Sequence, residues 1–341
     1  MTFLQILWFI LIFVLITGYF VLDGFDLGIG SLYTVLGKSE KEKATLRRAV
    51  GPVWDGNEVW LLTAGGALFA AFAPAYATTF SGFYLAIMLV LFGLIIRAVS
   101  IEFRVHDKDH GGMWDILFFI GSIVPALLFG VAIGNVLNGL PLNANGDYMG
   151  SFFALLNPFA LVCGLVGLAQ FMVQGLTWTA VKTEPGDLHD RAVDLRFKLQ
   201  IAVVVLFALA SILYFTIVNP TLAAGIPATL RIVFVVVIVA AAVLGILFGK
   251  KGDSADLMTF FMSCLMCVGL VGLVAASLFP NIVPATDAMY SITVANAASS
   301  ELALTCMTVI TCIGLPLVLV YHFIVYRTFA GKITDDDLED Y

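Results

Sequence analysis

The sequence predicts an all-α polytopic membrane protein of about nine transmembrane helices, and three observations carry that reading. Hydrophobic residues make up 61% of the chain and charged residues only 12%, where soluble domains carry about 25% charge; the mean hydropathy is +1.02. Nine apolar runs, at about 4–34, 52–72, 77–101, 115–138, 153–180, 199–218, 227–249, 257–279 and 300–327, match the roughly 20 residues that a bilayer span requires. Sixteen of the seventeen Lys and Arg residues fall in alternate gaps between those runs.

The basic gaps hold Lys38, Lys41, Lys43, Arg47 and Arg48, then Arg97, Arg104 and Lys108, then Lys182, Arg191, Arg196 and Lys198, then Lys250 and Lys251, then Arg327 and Lys332. Arg231 alone departs from the pattern. Positive charge in short loops stays on the cytoplasmic side, so the N-terminus is expected outside and the C-terminus in the cytoplasm.

The first run has no Lys or Arg before it and outlasts a signal peptide, so a retained span is expected. The second begins with Pro52, Asp55 and Asn57, residue types that start helices. Trp54 and Trp60 suit a membrane interface. At the ends of the third and fourth runs, the long side chains of Arg97 and Arg104 are expected to snorkel to water, with Glu102 and Asp115 solvated. The gaps at about 139–152 and 280–299 are rich in turn residues and are assigned to the outer side. No linker is long or polar enough to mark a second domain, so residues 1–341 are read as one transmembrane domain ending in an acidic cytoplasmic tail, 328–341.

Ionisable groups inside a span cost about 2.5–3.5 kcal/mol at a helix centre and mark functional sites. Two clusters stand out. Asp23 and Asp26 lie three residues apart, on one face of a helix, beside Gly24 and Gly28, a small-xxx-small step that admits a close neighbour. Asp55 and Glu58 repeat the i, i+3 spacing around Asn57, between Trp54 and Trp60. At 1.5 Å per residue, Asp26 lies about 15 Å and Asp55 about 10 Å from the basic turn. An antiparallel hairpin would let the four acids meet in the cytoplasmic half of the membrane, as a proton relay requires. A structural reading stands beside it, with Asp55 and Asn57 as helix-starting residues and Asp23 and Asp26 as interhelical packing bonds.

Other chemistry is not expected. Haem requires axial side chains inside the bundle, but His106, His110 and His189 fall in basic gaps and His322 near the end of the last run. All five cysteines lie in apolar runs, and Cys264 with Cys267 lacks the second pair a metal site needs. Phosphate-loop, dinucleotide-binding and nucleophile-elbow patterns are missing. No catalytic residue, metal, bound cofactor or nucleic-acid partner is expected of this chain.

Asp23-Gly-Phe-Asp26-Leu-Gly28-Ile-Gly30, the block from Trp54-Asp-Gly-Asn57-Glu-Val-Trp60 through Gly66 to Phe69, Phe80-Ser-Gly-Phe-Tyr84 and Leu156-Asn-Pro-Phe159 resemble subunit II of the cytochrome bd family of quinol oxidases, over essentially the whole chain. The resemblance implies two four-helix bundles plus one peripheral helix. It also implies a haem-free subunit supporting a haem-bearing subunit I, which holds two b-type haems and one d-type haem, oxidises quinol and reduces oxygen to water. Small single-helix subunits, membrane lipid and a quinone are further partners it suggests. It places Asp55 on a cytoplasmic proton path, with Asp23 and Asp26 as neighbouring acids and Glu58 as a further candidate. Cyanide-insensitive oxidases share the pattern. The alternatives are a proton-coupled transporter, although no second copy of the Asp-Gly-Phe-Asp block marks an inverted repeat, and a purely structural partner.

Overall fold

The computed structural model describes residues 1–107, 109–218 and 220–338. Lys108 of the basic gaps and Glu339, Asp340 and Tyr341 of the acidic tail lie outside the described residues, as does Asn219.

The first span consists of α1, Phe3–Leu22, and α2, Gly24–Leu36, with a break at Asp23. A capping box between Thr2 and Gln5 starts α1. A surface helix that sequence reading did not anticipate follows: α3, Glu40–Val50, opened by a Ser39–Glu42 capping box, with Ala44, Leu46, Ala49 and Val50 turned inward. Its charged outer face and short length hide it from a search for long apolar runs.

Then come α4, Trp54–Ala71, α5, Ala73–Gly82, α6, Tyr84–His106, α7, Gly111–Asn138, and α8, Pro158–Lys182. Next are α9, Asp187–Leu213, extended by a π-helical turn, Tyr214–Val218, then α10, Ile226–Gly249, and α11, Asp256–Leu278. A short ribbon of β1, Asn281–Val283, and β2, Ile292–Thr293, leads through α12, Val294–Ala297, to α13, Glu301–Thr328. The run expected from about 199 begins at Asp187, because the charged stretch before it continues the same helix.

Among the described residues eight helical spans are long and apolar enough to cross a membrane. α4 occupies the second expected run, about 52–72, with 18 residues, about 27 Å at 1.5 Å per residue. Asp55, Asn57, Glu58 and three glycines (Gly56, Gly65 and Gly66) lower its apolarity.

Packing divides the spans into two groups of four. One group is the first span, α4, α6 and α7 and the other is α8, α9, α10 and α11, and the two pack closely together along α7–α8, α2–α8 and α1–α11. α13 lies outside both, against α1 and α4, where the Trp8 Nε1–H donates to the Leu304 carbonyl at 3.1 Å. α2 joins the bundles by packing on α8 at backbone distance: a Cβ built on Gly28 would lie 1.8 Å from the Phe171 carbonyl oxygen, and one on Gly175 would lie 2.5 Å from the Gly28 carbonyl carbon. Gly24 is equally confined, by the Gln174 side chain 2.3 Å from the same hypothetical position. Without side chains at these points the two helices bring their main chains together.

The turn-rich gaps fold over the end remote from α3 as one cap. The Leu140 N–H donates to the Pro284 carbonyl at 2.9 Å and the Thr286 N–H to the Leu140 carbonyl at 2.8 Å. Leu140, Leu142, Val283 and Ile292 are buried there against Phe9, Phe72 and Phe83.

At the basic end the expectation for Arg104 and Asp115 is corrected. Both are buried. Arg104 Nε donates to Asp115 Oδ1 at 2.9 Å, and Lys43 of α3 reaches Asp115 Oδ2 at 2.8 Å. α3 covers the helix ends, so these groups pair beneath it instead of reaching water. Glu102 is exposed.

Candidate proton-handling site

The break between α1 and α2 places Asp23 at the centre of the first bundle, fully buried. Its partner comes from α6. Arg97 Nη1 donates to Asp23 Oδ2 at 2.9 Å, and Nη2 lies 2.8 Å from Asp23 Oδ1 and 3.2 Å from Glu58 Oε2 on α4. Arg97 is completely buried, which corrects the expectation that it snorkels to water. A planar guanidinium suits this duty, since its fork matches two carboxylate oxygens at once and leaves a donor for a third group.

Asp26, one helical turn further, looks elsewhere. Its Oδ2 accepts from Asn57 Nδ2 at 2.8 Å, and the same amide donates to the Leu22 carbonyl at 3.1 Å. The Asn57 Oδ1 in turn accepts from the Tyr326 hydroxyl of α13 at 2.9 Å. Asp26 Oδ1 is buried and has no hydrogen-bond partner among the described residues. Asp23 and Asp26 thus sit in one buried pocket of the fold yet face different partners.

Trp60 closes the site on the α13 side. Its Nε1–H donates to His322 Nε2 at 3.3 Å, while His322 Nδ1 lies 2.9 Å from the Val318 carbonyl. A carbonyl can only accept, so Nδ1 donates to Val318 and Nε2 receives the indole, and both nitrogens are engaged. Trp60 also lies over Gly18, whose missing side chain makes room for the indole 2.2 Å from a hypothetical Cβ. Trp54 is half-buried against the core beneath α3.

The four acids do not all meet. Asp23, Asp26 and Glu58 gather around Arg97 and Asn57, but Asp55 is exposed on α4. It shares an outward stripe with Val59, Leu62, Thr63 and Phe69, all on the face turned away from α1. The hairpin expectation placed all four acids inward; the rotation of α4 required to bury Asn57 and Trp60 turns Asp55 out. Sequence reading also left out Arg97, Tyr326 and His322 from the site. The arginine was legible as a charge at the end of a run, but its partner lies 74 positions away.

This is a polytopic α-helical membrane subunit with paired acids and an arginine locked into the hairpin of its first bundle. The chain belongs to the cytochrome bd terminal oxidase subunit II family, whose profile matches residues 4–329. It is 36% identical over 369 residues to cytochrome bd-I ubiquinol oxidase subunit 2 of Escherichia coli strain K12, covering 98% of this chain and 97% of that one. It is 35% identical to the probable cytochrome oxidase subunit 2 of Haemophilus influenzae, covering 97% and 95% of the two chains. Cytochrome bd ubiquinol oxidase subunit 2 of Bacillus subtilis is 34% identical, with 96% of each chain covered. A solved bd oxidase from Geobacillus thermodenitrificans shares the fold, with a TM-score of 0.79 at 13% identity over 96% of this chain and 99% of that one. The chain is therefore an integral membrane subunit of a bd-type quinol oxidase, an oxidoreductase complex, and the family implies a partner subunit that holds haem.

Proposed function

We propose that this chain is the haem-free subunit II of its oxidase and that it conducts protons from the basic, cytoplasmic end toward the haems of subunit I. It works as a single transmembrane unit with the N-terminus outside and the C-terminus in the cytoplasm. Two b-type haems and one d-type haem belong to the partner, whose chemistry is quinol oxidation and oxygen reduction.

Asp26 carries this reading: a buried carboxyl with one oxygen held by Asn57 and the other facing no donor offers a seat for a mobile proton. Asp55 supplies the exposed entry, and Glu58, one turn inward on the same helix, links it to the Arg97–Asp23 pair. Asp23 and Glu58 also answer to a positioning role, because Arg97 clamps both. Gly24, Gly28, Trp54, Asn57 and Trp60 hold the geometry around them. Engagement of both His322 nitrogens supports a subunit without haem ligands.

A cavity of about 480 Å³ between the two bundles, lined by Phe20, Phe129, Phe159, Phe207 and Val271 with Arg231 at its edge, fits a lipid tail or a quinone. Small single-helix subunits complete the proposed assembly. No observation favours the transporter alternative.

The test is Asp55→Asn and Asp26→Asn in the intact oxidase. Oxygen consumption is expected to slow by about tenfold or more, as for loss of a positioned proton-transfer group, with haem spectra and assembly unchanged. Lost assembly with normal turnover in the remaining complex would assign these acids to structure alone.

A further inference from the structure

A second group of donors lies away from the hairpin, at the basic end of the α8–α11 bundle. His189 stands in the first turn of α9, and Asp253 and Asp256 stand in the turn that opens α11. The fold sets these two helix starts side by side. His189 Nε2 lies 2.9 Å from Asp256 Oδ2 and 3.7 Å from Asp253 Oδ1, and the three donor atoms fall within 4.8 Å of one another. A metal with bonds of about 2.0–2.2 Å to nitrogen and oxygen holds its ligand atoms roughly 3–3.6 Å apart, so only a small movement of Asp253 is needed. That residue can move, since its side chain is 49% exposed while those of His189 and Asp256 are 3% and 5% exposed.

The surroundings orient the donors. His189 Nδ1 lies 3.5 Å from Asp190 Oδ1, so a proton placed on Nδ1 has a carboxylate beside it, and a cation can take the place of the Nε2 proton that otherwise bonds Asp256 at 2.9 Å. A carboxylate behind the second ring nitrogen is the usual support of a ligating histidine. Asp256 Oδ1 accepts from Arg196 Nη1 at 3.1 Å, and Arg196 also donates to the Gly249 carbonyl at 3.2 Å, so the carboxylate plane is held from outside. Asp190, Asp253 and Asp256 against Arg196 leave two negative charges, which a divalent ion offsets. A proton on Nε2 would satisfy Asp256 alone and leave Asp253 without a partner in the cluster; a cation engages all three.

We propose that His189, Asp253 and Asp256 form a binding site for a divalent transition metal of the zinc class, with water completing its coordination, that ties the start of α9 to the start of α11. Imidazole with carboxylate oxygens suits such an ion, and the exposed Asp253 provides its way in. The site lies in the second bundle and uses none of the proton-path residues.

The test uses the purified intact oxidase, stripped with a chelator and dialysed against zinc ions. Asp253→Asn removes one ligand but leaves the His189–Asp256 contact, so folding is not at stake. Wild type is expected to retain one more zinc per complex than Asp253→Asn at limiting zinc, with the affinity of that site lowered about tenfold or more in the variant. Zinc should raise the thermal midpoint of wild type and not of Asp253→Asn. His189→Gln should lose the same zinc equivalent. Equal zinc retention by wild type and Asp253→Asn overturns the site. So does a His189–Asp256 contact whose stability follows pH with no response to zinc.

Discussion

Arg97 Nη1 donates to Asp23 Oδ2 at 2.9 Å while Nη2 stands in ion-pair contact with Oδ1 at 2.8 Å, and neither side chain is open to solvent. One residue lies on α6 and the other at the junction of α1 and α2, so the pair ties three helical segments together. Glu58 adds a fourth, from α4.

Breaking such a pair on one side strands a buried charge, which costs about 3–5 kcal/mol. Arg97→Gln strands Asp23 and crowds it against Glu58, so this variant is expected to lower the thermal midpoint of the purified oxidase sharply and to reduce the yield of assembled complex. Glu58→Gln, at a half-buried position, should cost much less. An equal effect of the two substitutions would show that the triad does not organise the bundle.

The contact between α2 and α8 gives a steric prediction. Gly28→Ala places a methyl group 1.8 Å from the Phe171 carbonyl oxygen and 2.9 Å from the Gly175 nitrogen. Both are backbone atoms, so the helices must separate, at about 1–3 kcal/mol or more. Gly112→Ala meets nothing within 4 Å and serves as the control. Thermal unfolding of the two variants should differ accordingly.

Glu42 predicts an acid-side loss of stability. Its Oε2 accepts from the backbone N–H groups of Lys38 and Ser39, at 2.7 Å and 3.1 Å, and its Oε1 from Arg191 at 2.5 Å. Burial would raise its pKa, but the hydrogen bonds from Arg191, Lys38 and Ser39 outweigh it and hold the carboxyl below its ordinary value of 4.5. A carboxyl depressed on folding stabilises the fold above its unfolded pKa and loses that contribution as pH falls through the folded value. The thermal midpoint of wild type should therefore decline as pH falls below about 4.5, and that of Glu42→Gln should start lower and decline less. Parallel curves for the two proteins would remove Glu42 from the account.

Much of the architecture was legible in the chain. Runs of apolar residues report each helix locally, because a bilayer imposes the same length on every span. Gly28 was readable as a close-approach point for the same reason: absence of a side chain is a local property. α3 escaped because 11 residues with a charged outer face carry no membrane signal, and its covering of Arg104 and Asp115 escaped with it.

Length, apolarity and the alternation of basic gaps already defined an all-helical membrane chain with acids in its first hairpin. Three-dimensional packing alone chose their partners: Arg97 for Asp23 and Glu58, Asn57 for Asp26, and the outward face for Asp55. It also brought His189 to Asp256 across 67 positions. The reason is physical. A residue's preference for lipid or water is its own, whereas the pairing of two charges depends on how far each helix turns and how closely its neighbours approach, and glycine contacts such as Gly28 with Gly175 set that distance only once both helices are in place.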